Sequence, residues 1–549
     1  MEKNALIAIV VSFLVIFVYY TFFVPVPPKK EEPVDKKAAV PRVLEQPPSP
    51  FQPFGPFSPT APAPAPASRA EAAGRKITLE TNTVIIVFDS QGATPISWKL
   101  KGYKDKPGKQ GKLLDLISPQ PSSEDEFLLR VTWPGVLETN TTRLAYYTDS
   151  QDQILEDSGR KVRVAFSFEI PNRVRIDKTY ELVADGFAVD FRLDLTNLSQ
   201  QPLTVPPIIS LTRGLMGDKD MDMALAFVAF ADGKVAREKL KKPGHEPLVA
   251  DKLTWLGIDE KYFLAALLPR PEGQYRVDVE RTASGLLAAR VAPVSFQLAA
   301  NETKSLNFKI FFGPKDIQVL RSLQPDLDQA IDFGWFKIFA KPLLLVLRFF
   351  NGFVNNFGWS IILLTLAIKI LFWPLTHKSF HSMQRMQKLQ PFVSKIREQY
   401  KNDKARLNRE IMGLYRRHKV NPLGGCLPML IQLPVLYAMY RTFLSATELR
   451  HAPFILWISD LSAKDPTYIT PILMGGTMFL QQKMTPTMGD PSQAKMMLMM
   501  PVIFTVMFLN FPSGLVLYWL VSNVLSIAQQ YYINKKMAHI PLPAAETKK

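Results

Sequence analysis

Long apolar runs are confined to the two ends of this chain, and this distribution constrains the fold more than any other feature. Residues 5–24 carry no charge and are long enough to cross about 30 Å of bilayer hydrocarbon. Five further apolar segments lie in the last third of the chain, at 359–373, 427–444, 468–480, 496–511 and 514–533. We therefore predict a polytopic α-helical membrane protein with six transmembrane helices.

The first apolar run is predicted to be an uncleaved anchor, residues 1–24. A cleaved signal peptide would have a shorter core and small residues at a cleavage site, but this run is followed by Pro25, Val26, Pro27 and Pro28. Residues 25–75 are rich in proline and alanine. Such a composition favours extended polyproline geometry and cannot bury a core, which predicts a linker.

Residues 76–324 read as a large all-β domain. Val162, Val164, Phe166 and the next two alternate residues are apolar, and residues 187–195 repeat the pattern, which is typical of half-buried strands in a β-sandwich. The chain has a single cysteine, Cys426, so it forms no internal disulfide. One histidine, His245, lies in this domain, which argues against a histidine-ligated metal centre there.

The spacing of apolar residues along the chain changes after the β domain. In residues 326–350 the apolar residues fall on one helical side, and we predict an interfacial amphipathic helix at 325–350. The alternative is the last helix of a soluble domain. Residues 351–535 are then predicted to form a core of five helices, followed by a short tail at 536–549.

Charge sets the orientation of the core. The formal net charge is +17, and residues 376–425 hold twelve Lys or Arg against three acidic residues. This excess places the loop in the cytosol, both termini on the same side and the β domain outside, between the first and second spans. Residues 376–420 resemble a helical hairpin, whose cations could bind lipid headgroups, ribosomal RNA or nothing specific. The predicted recruitment residues of this hairpin are Arg385, Lys388, Arg397, Arg416 and Arg417.

Lys369 is the only charge in the apolar run 361–373, and a cation at membrane depth costs at least about 2.5 kcal/mol. Thr365 lies one helical turn away on the same face. On the last segment Trp519, Asn523, Ser526 and Gln530 recur at helical spacing. Two polar faces can line one cavity, so we predict a substrate groove that contains Lys369, Thr365, Trp519, Asn523 and Ser526. Snorkelling of Lys369 to the interface and hydrogen bonding between packed helices are the alternatives.

Three sequence blocks carry a resemblance to a known family. They are Asn421-Pro-Leu-Gly-Gly-Cys-Leu-Pro, Phe454-Ile-Leu-Trp-Ile-Ser-Asp-Leu-Ser-Ala-Lys-Asp-Pro and Phe511-Pro-Ser-Gly-Leu-Val-Leu-Tyr-Trp. With them the chain resembles, essentially end to end, the bacterial YidC/Oxa/Alb membrane insertase family. The resemblance implies a hydrophilic groove open to cytosol and lipid but closed outside. It also implies a mutarotase-like β-supersandwich without the catalytic histidines, and Thr365 and Trp519 facing the nascent chain.

At the position of Lys369 the family usually has arginine. Lysine keeps the positive charge but lacks the bidentate fork of a guanidinium. The resemblance does not therefore establish that arginine chemistry is needed here.

The function implied by the resemblance is insertion and folding of integral membrane proteins in the bacterial inner membrane, alone or with the Sec translocon. The implied partners are nascent membrane proteins, the ribosome, the Sec translocon with its accessory subunits and anionic lipids, and the chain is expected to be a monomer. No catalytic constellation, nucleotide-binding loop or cofactor motif is visible. A small-solute transporter is the alternative, although no inverted repeat is seen. A membrane-anchored carbohydrate enzyme is a third, which the lone His245 disfavours.

Overall fold

The computed structural model describes most of the chain between residues 74 and 537. The described ranges are 74–108, 110–117, 128–137, 144–213, 225–238, 244–281, 286–334, 337–418, 420, 427–485 and 491–537. The predicted anchor at 1–24, nearly all of the linker at 25–75 and most of the tail at 536–549 lie outside the described residues.

The amino-terminal half of the described chain forms two β-sheets. The smaller sheet has the order β4-β3-β2-β1-β6. Its strands are β1 (Lys76–Thr81), β2 (Val84–Asp89), β3 (Thr94–Lys104), β4 (Leu113–Asp115) and β6 (Gln153–Leu155). All its pairings are antiparallel except β1 with β6.

The larger sheet has twelve strands in the order β5-β10-β16-β15-β13-β14-β17-β9-β8-β7, with β11 and β12 branching from β13. Its strands are β5 (Leu129–Thr132), β7 (Lys161–Ile170), β8 (Val174–Val183), β9 (Ala188–Asn197), β10 (Ile208–Arg213), β11 (Ala226–Ala231), β12 (Lys234–Glu238), β13 (Gly244–Asp259), β14 (Phe263–Arg270), β15 (Gly273–Arg281), β16 (Leu287–Pro293) and β17 (Thr303–Pro314). Its described pairings are antiparallel, as expected for a sandwich built from hairpins.

The core of this domain lies between the two sheets. Because strand side chains alternate in direction, the apolar set of β7, with Val162, Val164 and Phe166, faces inward and is buried. Aromatic rings continue the layer across neighbouring strands, as Tyr180 of β8 stacks on Phe191 of β9 with ring centroids 4.9 Å apart. The structure thus confirms the predicted large β-sandwich fold.

The predicted interfacial helix at 325–350 begins later than expected. A short helix α1 (Ile317–Leu323) and a 3₁₀ turn at Leu327–Ala330 precede α2 (Lys337–Val354). Gly334 has φ +66°, a conformation that an α-helix cannot contain. The prediction that one helix covers residues 325–350 is therefore wrong in its first half.

The carboxyl-terminal part of the chain is helical. Its helices are α3 (Phe357–Lys388), α4 (Gln390–Gln399), α5 (Lys404–Arg417), α6 (Leu427–Ser445), α7 (Ile469–Met484), α8 (Pro491–Phe508) and α9 (Ser513–Met537). In this region α3 continues through Pro374 for another 14 residues, whereas the apolar segment was predicted to end at residue 373 and the hairpin to begin at residue 376. The extension is stabilised because its Phe380 and Met383 pack on Ile533 of α9.

One helix of the described residues, α3, is long and apolar enough to cross a membrane by length and composition, and Leu498–Phe508 is a shorter apolar helix. The count of six spans therefore remains a prediction.

One hydrophobic cluster joins the β domain to the helices. It runs from Trp255 and Leu264 of the large sheet, through Leu320 of α1, to Leu347 of α2 and Leu364 of α3. Burial of apolar surface is the main favourable term in folding. The β domain therefore packs on the helical core through its own side chains.

Candidate functional site

Lys369 lies within α3 and faces α9. Its Nζ donates to Ser526 Oγ at 2.7 Å. The Ser526 hydroxyl in turn donates to the backbone oxygen of Ser522 at 2.8 Å, so its oxygen is available to accept from the lysine. None of α3, α6, α7, α8 and α9 contains an aspartate or glutamate. The cation of Lys369 is therefore held by a neutral hydroxyl, with no carboxylate on these helices to balance it.

Ser526 belongs to a row of polar residues on one face of α9. We call this row the polar stripe; it consists of Ser522, Asn523, Ser526, Gln529, Gln530 and Asn534. Their spacing of one, three or four residues keeps them on one side of a helix with 3.6 residues per turn. All are buried except Asn534, which is half-buried.

The polar stripe is hydrogen-bonded to three different helices. Towards the outer end, Gln432 of α6 donates to Ser522 Oγ at 2.8 Å, and Asn523 donates to Thr477 of α7 at 3.4 Å. The stripe is thus the shared surface of α3, α6 and α7.

Towards the carboxyl-terminal end of α9, two further pairs continue this pattern. Gln529 donates to Thr376 Oγ1 of α3 at 2.9 Å, and Gln530 donates to the backbone oxygen of Met484 at 2.8 Å. Gln384 of the α3 extension also bonds to Asn534. Hydrogen bonds between helices in a membrane contribute only about 0.6 kcal/mol on average. Each pair can therefore open individually at small cost.

Two of the predicted groove residues have other surroundings. Thr365 is fully buried, and its hydroxyl donates to the backbone oxygen of Ile361 at 2.6 Å, so its hydrogen is used within α3. Trp519 packs against α8, with its ring centroid 6.0 Å from Phe504 and 5.3 Å from Phe508. Its Nε1 has no hydrogen-bond partner among the described residues and remains an unused donor.

Four residues of the site were not among the predicted ones: Gln432, Thr376, Gln384 and Gln529. The signal for Gln529 was its place one helical turn after Ser526 on α9. Thr376 and Gln384 lie on α3 beyond the apolar run, and Gln432 lies on α6. Nothing in the order of residues indicated that these three side chains bond to α9.

The outer end of the site is covered by residues 446–467, which connect α6 to α7 and which we call the outer segment. Phe454 packs against Gly358 in the first turn of α3, where a Cβ atom would lie 1.9 Å from the Phe454 ring. The backbone nitrogens of Ser513 and Gly514 donate to Ala463 and Leu461 at 2.7 and 2.9 Å. The outer segment therefore binds the first turns of both α3 and α9.

Asp465 fixes the outer segment to α7. This carboxylate is buried and accepts hydrogen bonds from the backbone nitrogens of Thr467 and Thr470, both at 2.8 Å. Burial alone would raise the pKa of Asp465, but the hydrogen bonds from Thr470 and Thr467 outweigh it and lower the pKa to about 2. The group is therefore ionised at neutral pH and stabilises the start of the helix.

The basic hairpin predicted at residues 376–420 is built from the end of α3 with α4 and α5. Its small core contains Met386, Leu389, Val393, Ile411 and Leu414. The five predicted recruitment cations lie on this hairpin, where Arg416 and Arg417 are exposed and Arg385, Lys388 and Arg397 are partly buried. The hairpin thus presents basic side chains around a compact apolar centre.

Among the described residues, no group of three or more His, Cys, Asp or Glu side chains is placed to hold a metal ion. A shallow cavity of about 350 Å³ on the large sheet is lined by Arg163, Asp190, Arg192 and Arg270 among others. Its two acidic residues already pair, Asp190 with Lys309 at 2.7 Å and Glu181 with Lys161 at 2.6 Å.

Two family models match the chain. The model described as 60Kd inner membrane protein matches residues 349–540, and the model described as YidC periplasmic domain matches residues 76–346. The membrane protein insertase YidC of Geobacter metallireducens is 40% identical over 558 residues, covering 100% of both chains.

The solved structures share less sequence identity with this chain than the full-length relatives do. A crystal structure of an active YidC insertase with its first transmembrane domain resolved is 19% identical and covers 85% of this chain and 93% of that one, with a TM-score of 0.37. A galactose mutarotase related enzyme from Lactobacillus acidophilus is 9% identical and covers 44% of this chain and 97% of that one, with a TM-score of 0.32. The assignment therefore rests on the family models and the full-length relatives, and by these the chain belongs to the YidC family of membrane protein insertases.

Proposed function

We propose that this protein inserts other proteins into the bacterial inner membrane by lowering the cost of moving a polar segment through lipid. The observation that carries the proposal is the cation of Lys369, which is held by the Ser526 hydroxyl and has no carboxylate on the surrounding helices. A buried unbalanced charge attracts a counter-charge more strongly than an exposed one because the local dielectric constant is low. The acidic residues of a translocating tail would supply that counter-charge.

The polar stripe supports the same mechanism. A peptide that enters from the cytosol can replace the weak bonds between α9 and its neighbours one at a time, so that few polar groups lose their partners at any step. The apolar part of the substrate can meanwhile move into lipid. No covalent step is involved, and the driving force is partitioning of the substrate.

The remaining parts of the chain have matching proposed roles. The basic hairpin would receive ribosomes, nascent chains or anionic lipid headgroups through Arg416, Arg417 and the other cations. We propose an inner-membrane protein with both termini cytosolic, the β domain in the periplasm and six spans, which acts as a monomer alone or beside the Sec translocon and its accessory subunits. The solute-transporter alternative gains no support, because full-length relatives are named insertases.

The test is ribosome-coupled synthesis of a small single-span protein in the presence of liposomes that contain only this chain. Insertion is scored by protection of the translocated tail from protease. We expect protection above that of empty liposomes, with Lys369→Arg retaining most of it and Lys369→Ala and Lys369→Glu losing much of it.

Two controls make the result interpretable. The variants must be present in equal amounts in the liposomes, and a Thr83→Ser variant in the β domain serves as a matched substitution away from the helices. Equal protection by all three Lys369 variants would remove the charge from the mechanism. Protection no better than that of empty liposomes would refute autonomous insertion.

A further inference from the structure

The β domain is hydrogen-bonded directly to the outer segment. Thr447 Oγ1 donates to the backbone oxygen of Tyr262 at 3.1 Å, and Arg450 donates to the backbone oxygen of Lys104 at 2.7 Å. The guanidinium of Arg450 also lies 5.7 Å from the ring centroid of Phe263, close enough for a cation–π contact. These bonds join the β3–β4 and β13–β14 regions of the sandwich to the piece of chain that covers α3 and α9.

Arg348 of α2 completes this junction. Its guanidinium binds Asp316 with two hydrogen bonds, at 2.9 and 3.4 Å, and also contacts the carboxylate of Glu448. Asp316 caps α1 at the end of the β domain by accepting from the nitrogens of Gln318 and Val319, whereas Glu448 belongs to the outer segment. A single arginine therefore bridges a carboxylate of the β domain and a carboxylate of the outer segment.

The environment strengthens this bridge. The side chains of Arg348 and Glu448 are each 16% exposed and that of Asp316 is 27% exposed, so the charges are screened less than in a surface pair. Without Arg348 two carboxylates would face the same partly buried space. Neighbouring Tyr103 responds to the same charges, since burial first and then Glu448 and Asp316 raise its phenol pKa.

We propose that Arg348 is a positioning residue through which the β domain holds the outer segment closed over the first turns of α3, α7 and α9. Its planar fork suits two carboxylates at once, which a lysine in this place could not engage with the same geometry. The proposal gives the β domain a mechanical role in sealing the site on the periplasmic side. It does not depend on whether Lys369 attracts acidic tails, because the seal can be measured without insertion.

The experiment uses the full-length protein in membranes, with Cys426→Ser to remove the native thiol and Ser513→Cys to report on the seal. Ser513 lies in the first turn of α9, is fully buried and donates to the backbone oxygen of Asp460 in the outer segment at 2.8 Å. A membrane-impermeant maleimide is added from the periplasmic side, and the rate of labelling is measured. Labelling requires local opening of the outer segment.

We expect Arg348→Gln to speed labelling by about tenfold, with a smaller increase for Arg348→Lys. Asp316→Asn keeps the cap of α1, since asparagine is an equally good cap, but removes one charge from the bridge. It should also speed labelling although Asp316 is not part of the outer segment. The double variant should label no faster than Arg348→Gln alone, because both changes break the same link.

Arg160→Glu is the matched control, since Arg160 forms a surface pair with Asp157 in which both side chains are 70% exposed, and it should label at the parent rate. An unchanged rate for Arg348→Gln would overturn the proposal. So would an unchanged rate for Asp316→Asn beside a faster Arg348→Gln, because Arg348 would then act on Glu448 without the β domain. Additive effects in the double variant would equally contradict a single link.

Discussion

A buried lysine in the β domain leads to a quantitative prediction about stability. Lys178 of β8 is 1% exposed, and its Nζ donates to the backbone oxygen of Gly92 at 2.6 Å and lies 4.7 Å from the ring centroid of Tyr146. No carboxylate forms an ion pair with it among the described residues. Burial lowers the pKa of Lys178 from 10.5 to about 7, because an apolar surrounding disfavours the charged amine.

The sign of the pH dependence follows from this pKa. Between pH 7 and pH 10.5 the unfolded chain binds a proton at Lys178 that the folded chain does not, so the free energy of unfolding rises with pH by about 1.4 kcal/mol per unit. Below pH 7 both states are protonated and the full penalty persists. Relative to a side chain that never ionises, the penalty is about 4 kcal/mol at pH 7 and under about 1 kcal/mol at pH 10.

Lys178→Met should therefore stabilise the domain at neutral pH. The change removes the penalty of about 4 kcal/mol but leaves the oxygen of Gly92 without its donor, which costs about 1–3 kcal/mol. We expect a net gain of about 1–3 kcal/mol at pH 7, which shrinks as the pH rises and reverses between about pH 8 and pH 10.

Hydrogen exchange of the amides of β8 and β9 in the full-length protein measures this difference, at pH 6, 7.5 and 9 with intrinsic rates corrected for pH. Lys161→Met is the control, because Lys161 is an exposed lysine that pairs with Glu181 at the surface and should change little. A difference between wild type and Lys178→Met that does not vary with pH would refute the reasoning.

Two further predictions concern the outer segment. Gly358→Ala places a Cβ atom 1.9 Å from the Phe454 ring and should destabilise the segment by about 1–3 kcal/mol, seen as faster periplasmic labelling, whereas Gly352→Ala meets no atom within 4 Å and should be neutral. Phe454→Ala should suppress the first effect, and its failure to do so would contradict the steric explanation. Asp465→Asn should destabilise the start of α7 by about 1–3 kcal/mol. In the wild type, protection of the α7 amides from hydrogen exchange should fall as pH drops from about 4 to 2, because Asp465 becomes protonated. Equal hydrogen exchange of these amides in both proteins at pH 7 would contradict this prediction.

Local patterns predicted the regular elements well. Apolar and polar residues alternate in β7 and β9 because one face of each strand is buried, and this pattern can be read directly from the sequence. Helix boundaries were harder to predict from the sequence, because they depend on backbone conformation and on contacts with residues far away in the chain. Gly334 interrupts the helix expected from residue 325, and contact with Ile533 carries α3 past Pro374.

The candidate site was predictable in its chemistry but not in its pairing. A single cation in an apolar run and a polar face on α9 can both be read from the sequence, and they indicated Lys369 and Ser526. The hydrogen bond between Lys369 and Ser526, and the one from Gln432 to Ser522 of the polar stripe, depend on which helices are neighbours in the fold. Arg348 gave no sequence signal, because its two carboxylate partners lie 32 and 100 residues away.

Attraction between Lys369 and an acidic tail is tested most directly by reversing the charge on both sides. Insertion of a single-span substrate is measured with an acidic and with a lysine-substituted tail, using wild type and Lys369→Glu in equal amounts. We predict that wild type prefers the acidic tail and Lys369→Glu prefers the basic one, because opposite charges attract strongly in a poorly hydrated site. The same preference for the acidic tail in both proteins would contradict a role for the charge of Lys369.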